Sequence, residues 1–433
     1  MERLFELGRF ILDEAKKQGA DQAQCSVYES EKREFNVDGG KFSLMRTLFN
    51  RGVSVTVLKD QRKGSVHINR FDPEAVRQAV SDCVSASESA EPDPAWQFAE
   101  GPMERSFKCG QPVCDTEALF TRTKELMQDI SERHPKILME QMITEHNVGR
   151  SVYMNSNGVI YSTEAGSYNF SLMYSAHEGE KGSSFFGSDV ELASLDRPVI
   201  ECAMIERELS DVEKQIETSP LEGKFTGTAV LAPGAFTEIV LDTILSNFVS
   251  DSSLIDGTSI WKDKLGERVA DPSLTVSLTP GAAHVVSGQH YTGEGFPAED
   301  YDLIREGVLN SFSLSQYGAN KTGGTRAGNS SGNLTIRPGE KSLDEIIKGI
   351  DKGILVMRFS GGSPAPSGEF SGVAKNSFLI ENGKVTVPLS EAMISACVPD
   401  MLNNIRAISS EVLQDGSVSI PYAAFDGVTI SGK

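Results

Sequence analysis

The hydrophobic positions change period several times along the chain. Leu4, Leu7, Ile11 and Ala15 recur at helical spacing, whereas Val53, Val55 and Val57 alternate with Ser54, Thr56 and Leu58 as on a half-buried strand. The Gly39-Gly40 pair between these two runs predicts a turn, and KDQRKG returns the chain through SVHIN as a hairpin. Asp72 and Pro73 supply a cap and a first-turn proline for a helix running to about Ser85. SESAEPDPAW, with two prolines among small polar residues, reads as a linker. Next come a predicted helix from about Asp115 to Arg133, a hairpin at Asn157-Gly158, and a helix from about Val199 to Ile216. From about Lys224 onward the runs are short and β-like. Ser342 and Glu345 form a capping-box pattern for a helix ending near Gly353, and Glu381-Asn382-Gly383 marks another hairpin. The pattern predicts an α+β protein. It comprises α+β modules at residues 1–90 and 91–220, then a larger β-rich C-terminal domain at 221–433.

Composition narrows the function classes. The chain has 433 residues, with Lys+Arg 41 against Asp+Glu 61, a net charge of −20. With no basic run, direct nucleic-acid binding is not expected. No stretch approaches the roughly 18 apolar residues of a membrane span, and the N-terminal helix lacks the apolar core of a signal peptide. The six cysteines are scattered, and Cys109 and Cys114 are too far apart for a zinc-ribbon pair. A cytoplasmic protein with free thiols is expected.

Several stretches invite a catalytic reading. His177-Glu178 begins like HExxH, but Lys181 stands where the second histidine belongs, and Gly179 and Gly182 oppose a helix. GNSSG, centred on Ser330, matches a nucleophile elbow in letters, yet lies in the polar loop KTGGTRAGNSSGN without strand-turn-helix context. That loop is either a plain surface loop or a binding element. In the second case Arg326, suited to a carboxylate, and Asn329 are the substrate-binding candidates. His284 and His290 have no third ligand nearby in sequence, and Gly288 breaks the strand register between them.

The stretch LAPGAFTEIVLDTILSNF carries the most information. At about 100° per residue, Phe236, Ile239, Val240, Ile244 and Phe248 cover one arc, while Glu238, Asp242 and Ser246 form a thin polar row. Together with SLIDGTSIWKDKLGERVADPSLTVSLTPG, GEGFPAEDYDLIREGVLNSFSLSQYGANKTGG and YAAFDGVTISGK, it resembles the TldD/PmbA family, described as modulators of DNA gyrase and as metallopeptidases. The resemblance spans nearly the whole chain. It implies two branches: TldD-like proteins with HExxxH on this helix, and PmbA (TldE)-like companions without it. Leu241 and Asp242 stand at the His-Glu pair, and Ser246 at the second histidine. Neither Leu241 nor Ser246 suits zinc, whose ligands sit at about 2.0–2.3 Å. The cysteine ligand that the TldD branch takes from its C-terminal strand has no counterpart in PYAAFDGVTISG. No metal, cofactor or catalytic residue is therefore expected. Asp242 is expected to line a chamber. The resemblance further implies a heterodimer with a TldD-like metal-bearing subunit, or a homodimer, acting on small or unfolded peptides. The competing readings are a non-enzymatic peptide-binding or regulatory homodimer, and an independent non-zinc hydrolase using Asp242, Glu238 or Ser330.

Overall fold

The computed structural model describes residues 1–432. Two large sheets dominate. The first is built from β1 (Gln22–Asp38), β2 (Lys41–Lys59), β3 (Arg62–Ile68), β4 (Met103–Gly110), β5 (Ile137–Asn155), β6 (Val159–Glu178), β7 (Lys181–Gly182) and β8 (Phe186–Leu192). Its main path runs β3-β2-β1-β5-β6-β4. The long β1–β5 ladder, from Gln24 opposite Asn155 to Asp38 opposite Gln141, joins the strands before the 90–102 connection to those after it. Local turn chemistry sets the hairpins. Asp60 and Gln61 take φ values of 49° and 61° between β2 and β3, and Gly158 takes 90° between β5 and β6.

Helices cover the sheet where its strands offer apolar rows. α1 (Glu2–Lys17) and α2 (Pro73–Ser89) bury Leu4, Ile11, Val76 and Val80 against Val27, Val53, Val55 and Val57. The Asp72 side chain caps α2 by accepting from the backbone N–H of Ala75 at 3.0 Å. Gly64 permits this packing, since a Cβ there would sit 2.0 Å from the Cys83 carbonyl oxygen. α3 (Thr116–Arg133) covers the far end around Phe35 and Val37. The sequence predicts one helix from Val199 to Ile216. The structure instead has a single 3-10 turn at Val199–Glu201 and then α4 (Ile205–Glu213), with Ala203 at φ 51° interrupting them. The capping box at Ser342 forms, but its helix is only Leu343–Lys348, and Gly349 stops it short of Gly353.

The second sheet comprises β9 (Ser219–Pro220), β10 (Lys224–Leu231), β11 (Val276–Leu278), β12 (Tyr301–Arg305), β13 (Val308–Leu309), β14 (Leu334–Ile336), β15 (Lys352–Gly361), β16 (Glu369–Glu381), β17 (Lys384–Ser390), β18 (Ala392–Cys397), β19 (Ile405–Gln414) and β20 (Ser419–Ser431). Five of these strands close on themselves. β10 pairs with β15, β15 with β16, β16 with β18, β18 with β20, and β20 returns to β10. Closure removes the edges these apolar strands would otherwise expose. β10 leaves the ring at Leu231 and runs directly into the helix at 233–248.

The two sheets meet through the 290–296 loop, whose Tyr291 stacks on Tyr161 at 4.7 Å, while the Tyr161 hydroxyl donates to Gly295 O at 3.2 Å. A second junction carries a half-buried acid. Glu208 on α4 accepts from Ser188 Oγ at 2.5 Å. Burial pushes its carboxyl up to about 7, and Asp211, Asp189 and Asp415 add to the rise. An acid raised in the folded state favours the protonated form. Its charge penalty is absent below the unfolded range of about 4.3, grows as pH rises, and is complete above about 7. Glu208→Gln is therefore expected to raise the melting temperature at pH 8 and leave it nearly unchanged at pH 4. Melting curves at the two pH values check this, and an equal gain at both would reject it.

Candidate functional site

The helix at 233–248 is not α-helical throughout. After one α turn at Pro233–Phe236, it winds as π-helix over Thr237–Leu241 and again over Ile244–Phe248. Its own threonines supply a cause. Thr237 Oγ1 donates to Pro233 O at 2.9 Å, and Thr243 Oγ1 to Ile239 O at 2.7 Å. Each hydroxyl bonds the carbonyl four residues back, where it competes with the backbone N–H of an α ladder and favours a local distortion. The Val249 N–H accordingly reaches Ile244 O at 3.1 Å, five residues back. The period of 3.6 predicted from the sequence thus gives way to a wider turn.

Ile239, Val240, Leu241, Ile244 and Phe248 bury themselves in the core of the C-terminal domain. The opposite face carries Glu238, Asp242 and Ser246, which the structure brings together in the wall of a cleft of about 320 Å³. Thr243, Asn247, Phe359 and residues 361–364 complete the lining. Leu241 is not part of this wall. It is 1% exposed and lies wholly in the core. Asn247 Nδ2 fixes the rim, donating to the carbonyls of Pro364 and Ala365, both at 3.3 Å. Asp242 is exposed at the cleft, and partial desolvation by the concave wall raises its pKa. Desolvation also raises Glu238; Arg358 opposes the shift and Asp242 adds to it.

Arg358 does not line the cleft but lies behind it, where its charge acts on Glu238. It interrupts the apolar strand GILVMRFSG of β15, and a lone cation in such a run was the available signal. Its guanidinium lies 4.2 Å from the ring centroid of Phe185, in the loop between β7 and β8 of the first sheet. Its Nε is buried without a hydrogen-bond partner. Its positive charge lies close enough to Glu238 to oppose the rise in that carboxyl's pKa.

The other candidates separate. Arg326 lines a different cavity of about 700 Å³, where its guanidinium lies 4.6 Å from the Phe296 ring centroid and donates to Ala327 O. Asn329 is 2% exposed and organises its loop. Nδ2 donates to Leu278 O and Glu299 O, while Oδ1 accepts from Ser331, so its amide is fully engaged within the protein. Ser330 exchanges hydrogen bonds with Gln289. His177 is the penultimate residue of β6 and contacts Ser175 Oγ at 2.9 Å. His290 stacks on Phe107 at 4.3 Å, and His284 reaches Thr335 Oγ1 at 3.4 Å.

A zinc ion does not fit the residues at the cleft. Its donors would be one carboxylate from Asp242, a neighbouring carboxylate from Glu238, a serine hydroxyl and an asparagine amide, without imidazole or thiolate. Among the described residues, no three His, Cys, Asp or Glu side chains come together to hold a metal ion.

Comparison with known proteins identifies the class. Residues 224–432 match the PmbA/TldA metallopeptidase C-terminal domain, and residues 23–87 match PmbA/TldA metallopeptidase domain 1. The chain therefore belongs to the PmbA/TldD metallopeptidase family. It is 24% identical to Metalloprotease PmbA of Escherichia coli O157:H7, over 92% of this chain and 88% of that protein. It is 23% identical to a Zinc metalloprotease TldD homolog of Saccharolobus solfataricus, over 71% and 70%. Its fold matches TldE from Thermococcus kodakarensis with a TM-score of 0.84 at 21% identity, over 99% and 100% of the two chains.

The raised carboxyl of Asp242 makes a stability prediction. Its charge opposes folding at neutral pH, and that penalty fades as pH falls through the raised folded value toward the unfolded value of about 3.9. Asp242→Asn is expected to stabilise the protein against urea at pH 7 and to give no gain at pH 3.5. A loss of stability at pH 7 would show that the carboxylate is held by attraction rather than desolvated.

Proposed function

We propose that this chain is the non-metal, PmbA/TldE-like subunit of a TldD/PmbA-type peptidase complex, acting on small or unfolded peptides. Its contribution is to form part of the chamber and of the substrate path, while a TldD-like subunit supplies the metal. The observation that carries this reading is the helix at 233–248. It keeps a polar wall on a cleft, yet Leu241 is sealed in the core, and Asp242, Ser246 and Asn247 supply no imidazole or thiolate. The glycines at 361 and 362 favour close approach of an extended backbone. A cytoplasmic setting agrees with six cysteines that remain free thiols.

Reconstitution tests the reading. The chain alone, a TldD-like relative alone, and the two mixed are each assayed on unstructured peptides. Hydrolysis is expected only where the relative is present. Robust, chelator-sensitive hydrolysis by the chain alone would overturn the proposal.

A further inference from the structure

The cavity that holds Arg326, of about 700 Å³, shares no lining residue with the cleft at Asp242. Its wall is fixed from two sides. The helix Gln316–Thr322 is tied to the 90–102 connection, where Asn320 Nδ2 donates to Ala95 O at 2.8 Å and Tyr317 stacks on Trp96 at 3.9 Å. Arg326 follows this helix after Gly323 and Gly324, and the Phe296 ring pins its guanidinium at 4.6 Å. Only Nη1 is occupied, by Ala327 O at 2.9 Å, and among the described residues the group has no acidic partner. A guanidinium held in this way loses little further freedom when it binds a ligand.

The lining selects the occupant. Glu299 shares the cavity with Arg326, yet the two form no ion pair, and among the described residues the Glu299 carboxylate has no bonded partner. Two other charges of the lining are engaged: Lys321 pairs with Asp93 at 3.2 Å, and Asp300 accepts from the Gly281 N–H at 2.9 Å. Lys262 is exposed and adds a second free cation. The same space has an apolar side, formed by Phe312 and by Leu265, which is 55% exposed. A wholly apolar ligand would strip water from Arg326 and Glu299 and give no hydrogen bond in return. A phosphate group would bring its multiple negative charge against Glu299 and Asp300. A molecule with a carboxylate, an ammonium group and an apolar side chain meets all three parts of the lining.

We infer that this cavity binds a short peptide with both termini free, its carboxylate on Arg326, its ammonium group on Glu299 and an apolar side chain against Leu265 and Phe312. Both termini of such a peptide are largely charged at pH 7. A volume of about 700 Å³ is of small-molecule size and limits the ligand to a few residues. Under the proposed subunit role such peptides are products of hydrolysis, but the binding itself does not rest on that role.

Isothermal titration calorimetry on the full-length chain alone, at pH 7, tests this with leucyl-leucine, its N-acetyl form and its C-terminal amide. Saturable binding of the free dipeptide is expected, and capping either terminus is expected to weaken it about tenfold or more. Arg326→Ala and Glu299→Gln, with circular dichroism confirming their fold, are expected to weaken the free dipeptide to a similar degree. In Arg326→Ala the free dipeptide and its amide are expected to bind alike, a loss of preference that a merely structural role would not produce. No binding by the wild type, or full affinity in either folded variant, overturns the inference. Undiminished binding of the N-acetyl form makes the cavity a simple carboxylate site and also overturns it. The subunit role is tested separately, by reconstitution with the TldD-like relative, and stands or falls on that result alone.

Discussion

The wide turns of one helix fix what the protein presents to its cleft. Thr237 and Thr243 bond the carbonyls four residues behind them, and the backbone ladder steps out to five. The wider winding still leaves residues four apart on neighbouring positions. Glu238, Asp242 and Ser246 therefore hold one wall while Leu241, Ile244 and Phe248 anchor the other face in the core. The closed ring of five strands supplies the rigid base. β10 is paired on both sides until Leu231 and delivers the helix directly above it.

The cleft is therefore polar, open to solvent and poor in metal ligands at once. Asp242 and Glu238 both titrate above their ordinary range because the concave wall shields them. Arg358 reaches the same region from β15, stacked on Phe185 of the first sheet, so both large sheets contribute to this corner of the molecule. Without imidazole or thiolate in its wall, the cleft lacks the donor set of a zinc site.

Local chemistry was legible in the sequence. The Asp72 cap, the Ser342 capping box, and the turns at Gly39-Gly40, Asn157-Gly158 and Asn382-Gly383 all form where nearby residues demand them. The polar row at Glu238, Asp242 and Ser246 was legible too, because a spacing of four survives the change from α to π winding. The winding itself was not, since apolar periodicity does not register which carbonyl a threonine hydroxyl occupies. The ladder of β1 with β5 and the pairing of Met393 with Ser431 that closes the ring lay beyond reach for a different reason. Register across such separations is set by which faces can be buried together, and no short window contains that information. Asn329 illustrates the converse. A polar residue in a glycine-rich loop resembles a ligand contact in sequence, yet its hydrogen bonds go to Leu278 and Glu299 outside that loop and to Ser331 within it.

Metal content tests the central claim most directly. The chain, purified without chelator and equilibrated with zinc, is expected to hold far less than one zinc ion per molecule after gel filtration, with the same value for Asp242→Asn. One tightly held zinc per chain that is lost in Asp242→Asn would contradict the account.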